Sequence, residues 1–393
     1  MSHTQATRVQ ALPLPALADQ FLLDPTITFL NHGSFGACPR PVFEEYQRWQ
    51  RELERDPVDF LGRRVPTLLT QARETLAAFV GTQADNLVFV PNATYGVNVV
   101  ARSVGLQPGD EVLATDHEYG AVNNTWRYLC EKVGARYINQ PIPLPVTDAE
   151  SFVEALWQGV TPRTQVIAIS HITSPTALIF PVEAVCRRAR EAGIVTVIDG
   201  AHALGQVDLD LTAMGATFYT GNAHKWLCAP KGAAFLYADP AHQPSLEPLV
   251  VSHGWSNGRS GSRLLDYFSW TGTMDPSAYL SVPAAIRFQR EHDWPAVRAA
   301  CHALASQARA QIQALTGLPA ISPDSPAWFA QMFTARLPEG EIEGLSQRLW
   351  EEHRIEVPIF TWNGQPMIRV SIQAYNGPQH VEHLLAALTQ YLF

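Results

Sequence analysis

Two segments of the 393-residue chain carry side chains suited to covalent and proton chemistry. VTVIDGAHALG reads as a short apolar strand that stops at Asp199, followed by a turn of small residues and His202. The next apolar run, TFYTG, leads into NAHKWLCAPKG, with Lys225 between His224 and Trp226. Residues just past the carboxyl ends of neighbouring parallel strands open onto one crevice, so a carboxylate and an amine would share a sheet edge. In an arbitrary α/β protein that pair is an ordinary ion pair at the rim of the sheet. A third segment shifts the weight. VPNATYGVNVVARSV reads as strand, polar turn and helix, with Asn92 or Thr94 as the cap and the first N–H groups of the helix facing an anion. A cap alone contributes about 1 kcal/mol and needs no ligand, but Asn222 and His224 add the hydrogen-bonding groups that a phosphate takes.

An amine, a strand-end carboxylate and a phosphate cup are together what pyridoxal 5′-phosphate requires. The lysine condenses with the aldehyde and holds the cofactor until substrate exchanges in. A carboxylate against the pyridine nitrogen raises the proton affinity of that nitrogen, and the protonated ring accepts electrons from a substrate Cα. The expected chemistry is bond-breaking at the Cα of an amino acid.

The elements around these residues fit that placement. Apolar runs at LVFV (87–90), EVLAT (111–115), RYIN (136–139), VIAIS (166–170), VTVID (195–199), TFYTG (217–221) and AAFLY (233–237) alternate with helix-period stretches such as VEAVCRRAREAG. That alternation predicts a largely parallel α/β sheet covered on both faces. A helix is expected from near Pro41, and another in VPTLLTQARETLAAFVG closing at Gly81. Beyond about residue 280, long helical segments lead into a smaller unit with strands in WFAQMFTARL and MIRVSIQAYN and a closing helix, HVEHLLAALTQYLF.

Composition sets the boundaries. With 28 Lys+Arg against 37 Asp+Glu the formal charge is −9, and no basic run occurs, which argues against nucleic acid or an anionic membrane as partner. No apolar stretch reaches the ~18 residues of a membrane span, and the first twenty-one residues lack the pattern of a secretory signal, so a cytoplasmic setting is expected. The five cysteines are scattered without a CxxC, which signals neither a disulfide framework nor a zinc site. His380 and His383 have helical i, i+3 spacing but no third ligand nearby, so no metal is expected.

TFYTGNAHKWLCAPKG, VIDGAHA, NATYGVN and FLNHGSFGACPRPV resemble the class V aminotransferase family of fold-type I pyridoxal phosphate enzymes, and within it the isopenicillin N epimerase-like branch. The resemblance runs from about residue 28 to the end. It implies an N-terminal arm (1–27), a large cofactor-binding domain with a mostly parallel seven-stranded sheet (28–280) and a smaller α/β C-terminal domain (281–393). It also implies that Lys225 carries the cofactor, Asp199 pairs with the ring nitrogen and His202 lies near the ring's phenolic oxygen. Thr94, Asn222 and His224 would bind phosphate, with the Ala93 N–H. Thr273, in WTGTMD, would close the phosphate site of the neighbouring subunit in a homodimer. Arg369 would take the substrate carboxylate, with Asn31, His32 and Ser34 on the substrate side. Many relatives stack a histidine on the ring; here TDHEYGAVNNTW puts Tyr119 at that position, with His117 two residues away. Either could serve as the second-face acid that epimerisation demands. The reaction expected is epimerisation at Cα. The alternatives are a C–S β-lyase, an aminotransferase or a non-catalytic ligand-binding scaffold, and a desulfurase is disfavoured because no cysteine lies near 320–335. Arg259 and Arg263, in GWSNGRSGSRLLD, could reach a distal carboxylate.

Overall fold

The computed structural model describes residues 17–258, 260–340 and 342–392. Arg259 and residues 1–16 of the expected arm lie outside the described residues. Seven strands form the large sheet: β1 (Leu87–Val90), β2 (Glu111–Thr115), β3 (Arg136–Gln140), β4 (Thr164–Ser170), β5 (Val195–Asp199), β6 (Phe218–Asn222) and β7 (Ala234–Ala238). Their spatial order is β1-β7-β6-β5-β4-β2-β3, parallel throughout except that β7 runs antiparallel to both of its neighbours. The strands expected at 166–170, 217–221 and 233–237 shift by one or two residues, because the hydrogen-bond ladder rather than the apolar run fixes their ends. The shift matters at Asn222, which lies in β6 and not in the loop after it.

Apolar residues on both faces of these strands demand cover on both sides. One face is covered by α3 (Ala93–Ser103), α4 (Gly120–Val133) and a short helix at Arg263–Phe268, through Val97, Val100, Trp126 and Leu265. The other is covered by α2 (Val65–Phe79) and α6 (Val182–Glu191), with α7 (Val282–Glu291) packed on α2, while α8 (Trp294–Thr316) packs on the C-terminal strand Met332–Arg336. Two further helices, α1 (Arg40–Arg55) and α5 (Ala149–Trp157), complete this part. Gly81 ends α2 as expected: its φ is +67°, and the Thr82 N–H returns to the Ala77 carbonyl in a Schellman turn.

The C-terminal unit is a three-stranded antiparallel sheet, β8 (Met332–Arg336), β9 (Ile359–Trp362) and β10 (Gln365–Ser371), in the order β9-β10-β8, with α9 (Leu345–His353) and α10 (Pro378–Leu392). Strand β9 is not anticipated in the sequence. Its signal is Asn363-Gly364, both at positive φ, the two-residue turn of a tight hairpin. The N-terminal segment crosses the expected domain division: Thr28–Phe29 pairs in parallel with Ile355–Glu356, and Asn31 bridges to Ser371. One hydrophobic cluster runs through both units.

Two glycines allow the close approaches that build the site. A Cβ on Gly96 would lie 2.3 Å from Thr220 Oγ1, so glycine lets the start of α3 rest on β6. Gly36, at φ +70° and ψ 170°, lies where a Cβ would meet the His224 carbonyl at 2.1 Å and the Lys225 Cα at 2.9 Å. The Lys231 ammonium donates to the Gly36 carbonyl at 2.9 Å and fastens the N-terminal segment over the lysine loop. Gly36→Ala is therefore expected to destabilise the chain by about 3 kcal/mol, from a near glycine-only backbone region plus a backbone clash, read as a lowered denaturation midpoint.

Candidate active site

The carboxyl ends of β5 and β6 are adjacent, with Asp199 paired in register with Thr220. The chain leaves β6 in a tight loop in which the Ala223 and His224 N–H groups both donate to the Ala233 carbonyl, and Ala229 N–H returns to Ala223. Lys225 sits on this loop. Burial pulls its amine down to about 8, with the Asp199 carboxylate opposing and the Arg369 cation assisting. Asp199 is buried, which raises its carboxyl; the Ala201 N–H to Oδ1 (2.9 Å) and the Lys225 charge pull the other way. Its Oδ2 accepts no hydrogen bond among the described residues. His202 lies 3.3 Å (Nε2) from the Lys225 amine and accepts the Trp226 indole N–H on Nδ1 at 3.2 Å. Burial, reinforced by the nearby cations, holds its pKa well below the ordinary range. The expected trio of Lys225, Asp199 and His202 is thus brought together.

The phosphate side needs correction at Ala93. The Ala93 N–H does not face outward; it donates to Asn222 Oδ1 at 2.8 Å, because Asn222 at the end of β6 points at the start of α3. Of the two expected caps, Asn92 takes the role, accepting the Tyr95 N–H at 2.8 Å. The N–H and hydroxyl of Thr94 and the amide Nδ2 of Asn222 therefore remain as donors. His224 donates Nδ1–H to the Ala233 carbonyl at 3.1 Å, and burial lowers its pKa to about 4. Its Nε2 is then a bare acceptor, and it donates to an anion only after taking up a proton. Thr273 is exposed and makes no hydrogen bond among the described residues.

Arg369 on β10 is buried, and burial lowers its pKa to about 10, with Tyr119 opposing. Its Nη1 donates to the Ser174 carbonyl (2.8 Å) and hydroxyl (3.0 Å), and its Nη2 to Ser34 Oγ (3.1 Å). Its Nε has no partner, and no carboxylate pairs with it among the described residues. A buried guanidinium held only by neutral oxygens keeps its charge uncompensated and would be stabilised by an anion. Asn31 stands one layer behind, accepting from Ser34 Oγ (2.6 Å) and donating to Glu356 (3.1 Å). His32 is a correction: it is fully buried beneath the lysine loop. Its Nε2 lies 3.1 Å from the Lys225 carbonyl and its Nδ1 2.9 Å from the Tyr375 hydroxyl, and its pKa is lowered to about 3 by burial. It supports the lysine backbone and faces no substrate.

Tyr119 is half exposed at the start of α4. His117 turns the other way, fully buried against Thr176, Phe180 and Trp362, so it cannot stack in the cavity. Between them, Glu118 is a buried carboxyl that the sequence alone does not single out. It accepts from the Thr115 (2.7 Å) and Ser170 (2.6 Å) hydroxyls, and burial, with Asp199 adding to it, drives it up to about 7. Ser174 was likewise missed, and no local signal marks it. A cavity of about 340 Å³ opens from Arg369 between Tyr119, Asn123, Ser174 and Trp362. Arg263 lies away from it, bonded to Glu247 and the Pro244 carbonyl. Among the described residues no three ligating side chains cluster for a metal and no helix is long and apolar enough to cross a membrane; His380 accepts the Gly377 N–H and His383 meets Thr28.

Comparison with known proteins gives the same outline. The family model described as aminotransferase class-V matches residues 40–384. An isopenicillin N epimerase from Amycolatopsis lactamdurans is 37% identical over 95% of this chain and 97% of its own length. A probable chloroplastic L-cysteine desulfhydrase from Arabidopsis thaliana is 28% identical over 93% of this chain and 83% of its own length. Among solved structures, a C-DES mutant with glycine covalently linked to its PLP cofactor superposes with a TM-score of 0.78 at 22% identity, covering 96% of this chain and 98% of that one. That likeness fixes the fold as the fold-type I architecture.

The groups present fit the cofactor expected from the sequence: a desolvated amine, a buried carboxylate with one oxygen open, and phosphate donors at the start of α3. An amine lowered to about 8 becomes nucleophilic as pH rises through that value. Capture of pyridoxal phosphate by the cofactor-free chain, followed by absorbance, should therefore accelerate from about pH 6 and level off above about 8. Lys225→Ala should leave nothing for borohydride to fix to the protein.

Proposed function

The chain belongs to the class-V aminotransferase family, and on that premise we propose that it uses pyridoxal phosphate to move the α-hydrogen of an amino-acid substrate and invert Cα, as an isopenicillin N epimerase-like enzyme. The bound cofactor supplies the sink for electrons released at Cα. The chain supplies the rest. Asp199 presents its open Oδ2 as fixed negative charge for the ring nitrogen, in a site where little water weakens it. Thr94 and Asn222 Nδ2 offer donors to the phosphate, and His224 joins them once protonated. Lys225, with its amine near 8, can take a proton and return it at neutral pH. Arg369 takes the substrate carboxylate on the edge that carries the unpartnered Nε.

The observation that carries the reading is that this carboxylate anchor lies within electrostatic reach of two acid–base groups, Lys225 and Tyr119. Inversion needs one group to remove a proton and a different one to deliver it. Beside Arg369 a cavity of about 340 Å³ leaves room for a substrate side chain. Across a homodimer, Thr273 of one subunit would complete the phosphate site of the other.

The desulfhydrase relative favours a second reading, C–S β-elimination, which shares the Cα step and then expels a β-substituent. Persulfide chemistry is disfavoured. Burial raises every free thiol, to about 12 at Cys38 and Cys301, about 11 at Cys130 and Cys186, and higher at Cys228, so none is a ready thiolate.

Candidate α-amino acids incubated in deuterated water should gain deuterium at Cα with inversion; pyruvate and ammonia without inversion would replace epimerisation with elimination. Tyr119→Phe is expected to keep Cα exchange while losing inversion, separable by chiral chromatography and mass spectrometry. Arg369→Ala should lower kcat/KM about 100-fold, the cost of losing charged hydrogen bonds to a carboxylate, mostly through KM.

A further inference from the structure

Lys225 is flanked by a histidine whose protonation pattern is set from behind. His202 is buried in the turn after β5, and its two ring nitrogens have different neighbours: Nδ1 meets the Trp226 indole nitrogen at 3.2 Å, and Nε2 meets the Lys225 amine at 3.3 Å. Indole N–H can only donate. Nδ1 must therefore accept, and a neutral imidazole in that position carries its hydrogen on Nε2, on the side of the lysine. A cationic ring is disfavoured, since burial and the neighbouring Lys225 and Arg369 charges hold His202 neutral. The amine thus faces an N–H donor. A protonated ammonium has no lone pair to accept it, whereas a neutral amine has one.

We propose that Trp226 is a positioning residue that locks His202 in the Nε2–H tautomer, so that His202 presents a donor to Lys225 and holds the amine in its neutral, nucleophilic form. Without the indole N–H the ring is free to move its proton to Nδ1. Nε2 would then offer a lone pair to the ammonium, and the preference at Lys225 would reverse. The indole itself is fixed in place, since Trp226 is fully buried, its ring packs 4.8 Å from His32, and its carbonyl accepts from Gln289 at 2.9 Å. The other charged and titratable groups that act on the amine are Asp199 at the end of β5 and Arg369 on β10, while His32 and His224 feel its charge in turn. None of these touches Trp226 Nε1. The proposal rests on the reading of Lys225 as the amine that carries the cofactor, but its test needs no cofactor.

Acetylation of Lys225 by acetic anhydride as a function of pH, read by mass spectrometry on the cofactor-free full chain, measures the midpoint of the amine directly. Trp226→Phe, which keeps an aromatic ring and removes the N–H, should raise that midpoint by about one pH unit, a tenfold smaller neutral fraction below it. In a His202→Ala background the same substitution should move the midpoint by less than about a third of that. An unchanged midpoint in Trp226→Phe, or an equal shift in both backgrounds, would overturn the proposal, the latter because Trp226 would then act by packing. Neutron diffraction from wild-type crystals provides a reading that needs no variant to fold: a deuteron on Nε2 and none on Nδ1 supports the lock, and the reverse refutes it. A chain that never takes up pyridoxal phosphate would defeat the proposed function and leave both of these measurements readable.

Discussion

The structure depends on keeping an amine and a carboxylate out of water at the ends of two adjacent strands. Burial drives the Lys225 amine and the Asp199 carboxyl toward their neutral forms, and their mutual attraction pulls both back toward charge. Neither effect wins outright. The amine is left near 8, where it gains and loses protons close to neutral pH. Such a balance survives only if backbone, and not flexible side chains, sets the two positions. Asp199 is the last residue of a buried strand, and Lys225 is gripped by a loop whose N–H groups are tied to Ala233.

The substrate side follows the same logic with the opposite sign. Arg369 is buried with no carboxylate beside it among the described residues, so its charge is held by neutral oxygens from Ser174 and Ser34. Desolvating a guanidinium without an anion is costly, and its Nε is left buried with no hydrogen-bond partner. Glu118 is a further buried charge-bearing group beside them. Its two hydroxyl partners and its raised pKa place a second carboxyl near Asp199, in a stretch where composition shows only a polar turn.

Much of this was legible in the sequence because it is local. Strand periodicity, the DGAH and HKW segments and the capping turn before α3 marked out the sheet and the positions of Asp199, His202 and Lys225 within a residue or two. What stayed hidden depends on contacts between distant segments. Nothing in NATYGVN reveals that Asn222, far along the chain, takes up the Ala93 N–H. Nothing in FLNHGSFG tells that His32 goes beneath the lysine loop while Ser34, two residues later, reaches Arg369. Side-chain direction in a short irregular segment is decided by its tertiary neighbours. The β9 hairpin is a different case: Asn363-Gly364 was a readable turn, overshadowed by the longer apolar run that follows it.

The N-terminal segment is anchored at both ends to parts of the molecule that do different work. Thr28–Phe29 pairs with Ile355–Glu356 and Asn31 bridges to Ser371 at the end of β10, while Gly36 rests on the loop that carries the amine, with Lys231 as the rivet. The stretch from Thr28 to Gly36 therefore connects the strand that carries Arg369 to the backbone under Lys225. This short stretch of chain is a tie-rod between the two, fixing the distance from the guanidinium to the amine.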